Sequence, residues 1–113
     1  MATWEDVRAA ALALPEVEES TSYGKTAFKV RMKSFAWESP HEHGALVVKV
    51  DPDERPLLVE SNPAAYYVTP HYNGYPMLLV NLDVIAQGEL AERIEDSWLL
   101  AAPPKLHALL PRG

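Results

Sequence analysis

One hundred and thirteen residues make a single domain, and a hydrophobic content of 48% is enough to build a core. With no cysteine, disulfide frameworks, thiolate zinc sites and cysteine nucleophiles are all excluded. The formal charge of −6 argues against a generic nucleic-acid or membrane-surface coat. No apolar run is long enough to cross a bilayer, and Glu5 and Asp6 stand where a signal peptide needs basic residues, so a cytoplasmic protein is expected.

Thr3 followed by Asp6 has the spacing of a capping box, and Trp4, Val7, Ala11 and Leu14 then recur three and four apart. The pattern predicts a helix that Pro15 terminates. Val17 to Ser22 follows as a short, acidic strand. Thr26 to Lys33 alternates, with Phe28, Val30 and Met32 inward and Lys29, Arg31 and Lys33 outward. A turn at Lys33-Ser34 returns the chain through Phe35 to Glu38, and Pro40 to Gly44 makes a second turn. Leu46, Val48 and Val50 then point to the core, with Val47 and Lys49 outward. Asp51-Pro52 reads as a helix start, delayed by Pro56, so this helix is short and ends near Ser61. Strands Tyr66 to Thr69 and Met77 to Leu82 are joined by Pro70 to Pro76. Leu90, Ile94, Trp98 and Ala101 mark a long helix over Glu89 to Ala101, and a short terminal one spans Pro104 to Leu110. The expected fold is α+β, a twisted antiparallel sheet covered by helices on one face.

Charge is uneven. Lys25, Lys29, Arg31, Lys33 and Lys49 against Glu38 and Glu42 make residues 25–50 net +3, leaving −9 elsewhere. On one strand face, Lys29, Arg31 and Lys33 would stand about 6.7 Å apart, a spacing that suits a phosphate backbone. Lys49 on the same side would give four cations. The second notable stretch holds Tyr66, Tyr67, Tyr72 and Tyr75 together with His71 and Asn73. Aromatic faces beside cations stack on bases, and the same loop chemistry suits a small ligand. His41-Glu42-His43 offers two imidazoles and a carboxylate but no recognisable further ligands, so it reads as an exposed turn and no metal or cofactor is expected. Phosphate loops, nucleophile elbows and paired catalytic carboxylates are missing, so the chain is not expected to be an enzyme.

Leu12-Ala13-Leu14-Pro15-Glu16-Val17-Glu18-Glu19, Thr21-Ser22-Tyr23-Gly24, and Ala27-Phe28-Lys29-Val30 resemble the opening of the MmcQ/YjbR family. Ala45 to Pro52, Tyr67 to Pro76 and Asp96-Ser97-Trp98 are similar to its middle and end, so one MmcQ/YjbR-like domain covers residues 1–113. The resemblance implies a double-wing, frataxin-like (CyaY-like) sheet with helices on one side, and a DNA-binding role. On that reading Lys29, Arg31, Lys33 and Lys49 contact phosphate, while His71, Tyr72, Asn73 and Tyr75 meet sugar or base. The alternative is a module that binds an anionic small molecule or a protein, without nucleic acid or membrane. A third reading is a frataxin-like metal binder using Glu5, Asp6, Glu16, Glu18 and Glu19.

Overall fold

The computed structural model describes residues 1–42 and 44–110; His43 and the last three residues lie outside the described set. Helix α1 (Trp4–Leu12) opens on the expected capping box. Thr3 Oγ1 accepts the Asp6 N–H at 3.3 Å, and the Asp6 carboxylate accepts the Thr3 N–H at 2.8 Å. Val7 and Ala11 form its buried stripe, and the helix stops before Pro15.

Strands β1 (Val17–Ser22), β2 (Lys25–Val30), β3 (Lys33–Glu38), β4 (Leu46–Lys49), β5 (Tyr66–Tyr67) and β6 (Met77–Val80) build one antiparallel sheet in the order β1-β2-β3-β4-β6-β5. Helix α2 (Arg55–Ser61) starts late, as Pro56 demands, with that proline in the first turn where no intrahelical N–H is needed. Helix α3 (Gln87–Ala101) begins two residues before its expected start, and α4 (Pro104–His107) is shorter than expected. Helices α1 and α3 pack on one face of the sheet, over Phe28, Val30, Leu46, Val48, Leu78 and Val80. Trp98 is fully buried there, and its indole N–H donates to the Pro15 carbonyl at 3.1 Å.

The β2–β3 hairpin corrects the sequence reading. Val30 pairs with Lys33, so the turn is Arg31-Met32, two residues earlier than expected. Both turn residues have positive φ, 48° and 70°, the pattern of a type I′ turn. Met32, assigned inward by alternation, is 83% exposed. Lys29, Arg31 and Lys33 therefore do not line one strand: Lys29 is on β2, Arg31 at the tip, and Lys33 on β3 beside the core residue Val30.

A β-bulge follows at once. Phe28 faces Ala36 while Lys29 faces Ser34, leaving Phe35 as the extra residue, and Phe35 and Ala36 are both buried. Ala36 pairs with Val48 across the β3–β4 ladder, and continuing that register brings Phe35 opposite Lys49. There Ser97 of α3 places its hydroxyl between the strands. It donates to the Phe35 carbonyl at 2.5 Å and accepts the Lys49 N–H at 2.8 Å.

The second face of the sheet is partly covered as well. Trp37, Val47, Leu79 and Tyr67 form a cross-strand row, and Tyr72 with Ala45 packs over it. Val47, expected to face outward, is fully buried. The segment between β5 and β6 folds back over the sheet, which the strand pattern alone does not show.

Candidate ligand-binding cleft

On this second face lies a cleft of about 490 Å³, within the size range of small-ligand pockets. Trp37 and Met77 lie on the sheet, Ser22 and Tyr23 come from the β1–β2 turn, and Glu38, Pro40 and His41 from the end of β3. His71, Tyr72 and Tyr75 complete the lining. The imidazoles of His41 and His71 lie against each other, tilted by 38° with centroids 3.7 Å apart, and Tyr72 meets His71 edge-on at 4.8 Å. Tyr75 lies 6.4 Å from His71 and stays 56% exposed.

Two anchors hold the 68–76 segment in place. Ser39 Oγ accepts the N–H groups of His41 and Glu42 at 3.1 and 3.0 Å. Both its lone pairs are then used, so its own proton goes to the Tyr72 hydroxyl oxygen, 2.8 Å away. The second anchor is Arg55, at the start of α2. Its guanidinium donates to the carbonyls of Tyr75 (2.6 Å), Asn73 (3.0 Å), Met77 (3.2 Å) and Tyr72 (3.4 Å). The fixed fork of arginine suits several converging acceptors. Burial pushes the nearby Tyr67 phenol above its ordinary range, and the Glu42 carboxylate adds to the effect, keeping it protonated.

Tyr23 sits on the rim with φ 54°, ahead of Gly24 at φ 74°. A left-handed backbone is costly for a residue with a Cβ, and an aromatic side chain there is unusual. Its ring is 89% exposed.

The residues expected to contact phosphate are dispersed. Lys29 faces Glu18 on β1 and Ser34 on β3, and Lys49 faces Met77 on β6. Lys33 is exposed beside Val30. Arg31 makes a bidentate pair with Glu16, at 2.6 and 3.1 Å. Of the proposed base-contacting residues, His71, Tyr72 and Tyr75 line the cleft; Asn73 does not, although its carbonyl accepts from Arg55. Tyr72 is buried and hydrogen-bonded, so it shapes the wall and offers no free stacking face. Tyr23, Trp37, Glu38, His41 and Arg55 were not anticipated. Trp37 had a signal, since alternation along β3 marks it once the turn is placed correctly.

Four of the five acidic residues considered for metal binding near α1 are also committed; Glu18 stands exposed, opposite Lys29 across the β1–β2 ladder. Glu5 and Glu19 pair with Arg8 at 2.5 and 2.9 Å, Glu16 pairs with Arg31, and Asp6 caps the helix. Among the described residues, no group of three or more His, Cys, Asp or Glu is placed to hold a metal ion. Hydrogen bonds from Arg31 and Arg8 hold the Glu16 and Glu19 carboxyls below the ordinary glutamate range. A depressed native pKa stabilises the fold above the unfolded value, and that stabilisation is lost as pH falls through the native one. Carboxyl-carbon NMR should therefore show Glu16 titrating upward in an Arg31→Ala variant; an unchanged Glu16 would refute the pairing.

Comparison with known proteins places the chain. The YjbR family model matches residues 12–100. "Uncharacterized protein Rv2570" of Mycobacterium tuberculosis (strain H37Rv) is 33% identical over 123 residues, covering 94% of this chain and 93% of the relative. "Uncharacterized protein Mb2600" of Mycobacterium bovis matches to the same extent. Among solved structures, Deinococcus radiodurans protein DR2400, with its DUF419 domain, superposes with a TM-score of 0.73 at 28% identity, covering 88% of this chain and 78% of that one. Sequence and fold agree, and the chain belongs to the YjbR family.

Proposed function

We propose that this protein is a small-ligand-binding module and that its ligand occupies the cleft on the second face of the sheet. The observation that carries the reading is the lining itself. Segments distant in sequence bring six aromatic rings, from Tyr23, Trp37, His41, His71, Tyr72 and Tyr75, around one cavity. Pockets of this composition bury compact planar or apolar molecules, with few polar groups to orient them. Arg55 and Ser39 prepare the walls in advance, which lowers the ordering cost of binding.

The nucleic-acid reading keeps one supporting feature, the exposed rings of Tyr23 and Tyr75 on which a base can stack. It lacks a row of cations on a common strand, and Arg31 is already paired. One titration separates the two. Intrinsic tryptophan fluorescence, to which Trp4, Trp37 and Trp98 all contribute, and thermal shift are followed against compact planar compounds, and against single-stranded and duplex oligonucleotides at two salt concentrations. Saturable small-molecule binding that weakens in Tyr75→Ala is expected, with about 2.7 kcal/mol of added stability at 100 times the dissociation constant. Oligonucleotide binding that falls steeply with salt, without small-molecule saturation, would overturn the proposal.

A further inference from the structure

We infer that the cleft recognises a quaternary or methylated ammonium group on a free small molecule. This inference rests on the ligand-binding reading and narrows it. Among the described residues, no lysine or arginine lines the cleft, and Glu38 is the one acidic residue in its lining. Glu38 is mostly buried, with 20% of its side chain exposed. Its pairing with Lys25 is long, at 3.7 Å, so the carboxylate keeps capacity for a second cation. Trp37, Tyr75 and Tyr23 share the lining, and their ring faces carry the negative potential that attracts cations. Trp37 is half-buried on the sheet, while Tyr75 and Tyr23 form the rim. An anionic ligand, by contrast, would find no lysine or arginine in the lining, and the nearby Lys25 ammonium already faces Glu38. The chain's formal charge of −6 favours approach of a cation in the same direction.

The test is calorimetric titration of the full chain with choline, with its uncharged isostere dimethylbutanol, and with benzoate. Choline should bind about tenfold more tightly than dimethylbutanol, the difference expected when a desolvated cation meets aromatic faces. Glu38→Gln should weaken choline several-fold and leave dimethylbutanol unchanged. Trp37→Leu should weaken both; because that side chain also packs on the sheet, Tyr75→Leu at the rim serves as the second variant and should weaken choline alike. A peptide carrying trimethyllysine should bind no more tightly than choline; tighter binding would overturn assignment to a free small molecule. Equal binding of choline and dimethylbutanol, or preference for benzoate, would overturn the cation inference while leaving the cleft a ligand site. If none of the three binds but the planar panel contains a ligand, the inference also falls alone. No ligand in either set would remove the ligand-binding reading itself.

Discussion

Replacing Ser97 with alanine is expected to destabilise the fold by about 2–4 kcal/mol, although it deletes a single oxygen atom. The hydroxyl is fully buried and serves two backbone groups at once, the Phe35 carbonyl and the Lys49 N–H. Without it the buried Phe35 carbonyl and the partly buried Lys49 N–H lose their partner, and each such group costs about 1–3 kcal/mol. Alanine's better helix propensity returns only about 0.5 kcal/mol. The loss should appear as a lower urea midpoint with an unchanged slope, accompanied by faster exchange of the Lys49 amide. A decrease below about 1 kcal/mol would mean that the two strands close directly across the gap, and the bridging role would be wrong.

Arg55→Ala should cost about 1–3 kcal/mol and, more tellingly, loosen the 72–77 segment. Its four carbonyl acceptors do not all count fully. Those of Tyr75 and Asn73 face solvent and can be rehydrated, whereas those of Tyr72 and Met77 are partly buried. Charged donors contribute more per bond than neutral ones, so the summed loss still exceeds that of an ordinary surface residue. Lysine should rescue little, because a compact ammonium does not present the fork that reaches several carbonyls together. Hydrogen exchange is the decisive readout: amides of Asn73 to Met77 should exchange faster in Arg55→Ala, while those of α1 and β1 stay protected. Unchanged exchange in the segment would show that its own turns hold it, among them Tyr72 N–H to the Thr69 carbonyl at 3.0 Å and Tyr75 N–H to the Tyr72 carbonyl at 3.0 Å.

Local signals explain what was readable in the chain. The capping box of α1, the late start of α2 behind Pro56, and the long apolar stripe of α3 each lie within a few neighbouring residues, and each formed as expected. Strand β1 matches its expected limits. The β2–β3 turn was misplaced because Arg31-Met32 contains none of the Gly, Asn or Asp residues that normally mark a type I′ turn. That two-residue error created the apparent cationic stripe. Covering of the second sheet face was hidden for another reason: alternation tells which way Val47 points, but not that Tyr72 returns to cover it. Aromatic density marked the segment that places His71, Tyr72 and Tyr75 along the cleft. Their partners Trp37, Glu38 and His41 come from a stretch some 30 residues earlier, and only tertiary structure joins them.

At Tyr23, turn stability and the proposed recognition pull apart. A tyrosine held in a left-handed turn conformation costs about 1–2 kcal/mol against a residue suited to it. Asparagine or glycine would relieve that cost and tighten the first hairpin, but would strip the rim of its outermost ring. Engineering this chain for hardiness by idealising its turns would therefore blunt the cleft it was meant to preserve.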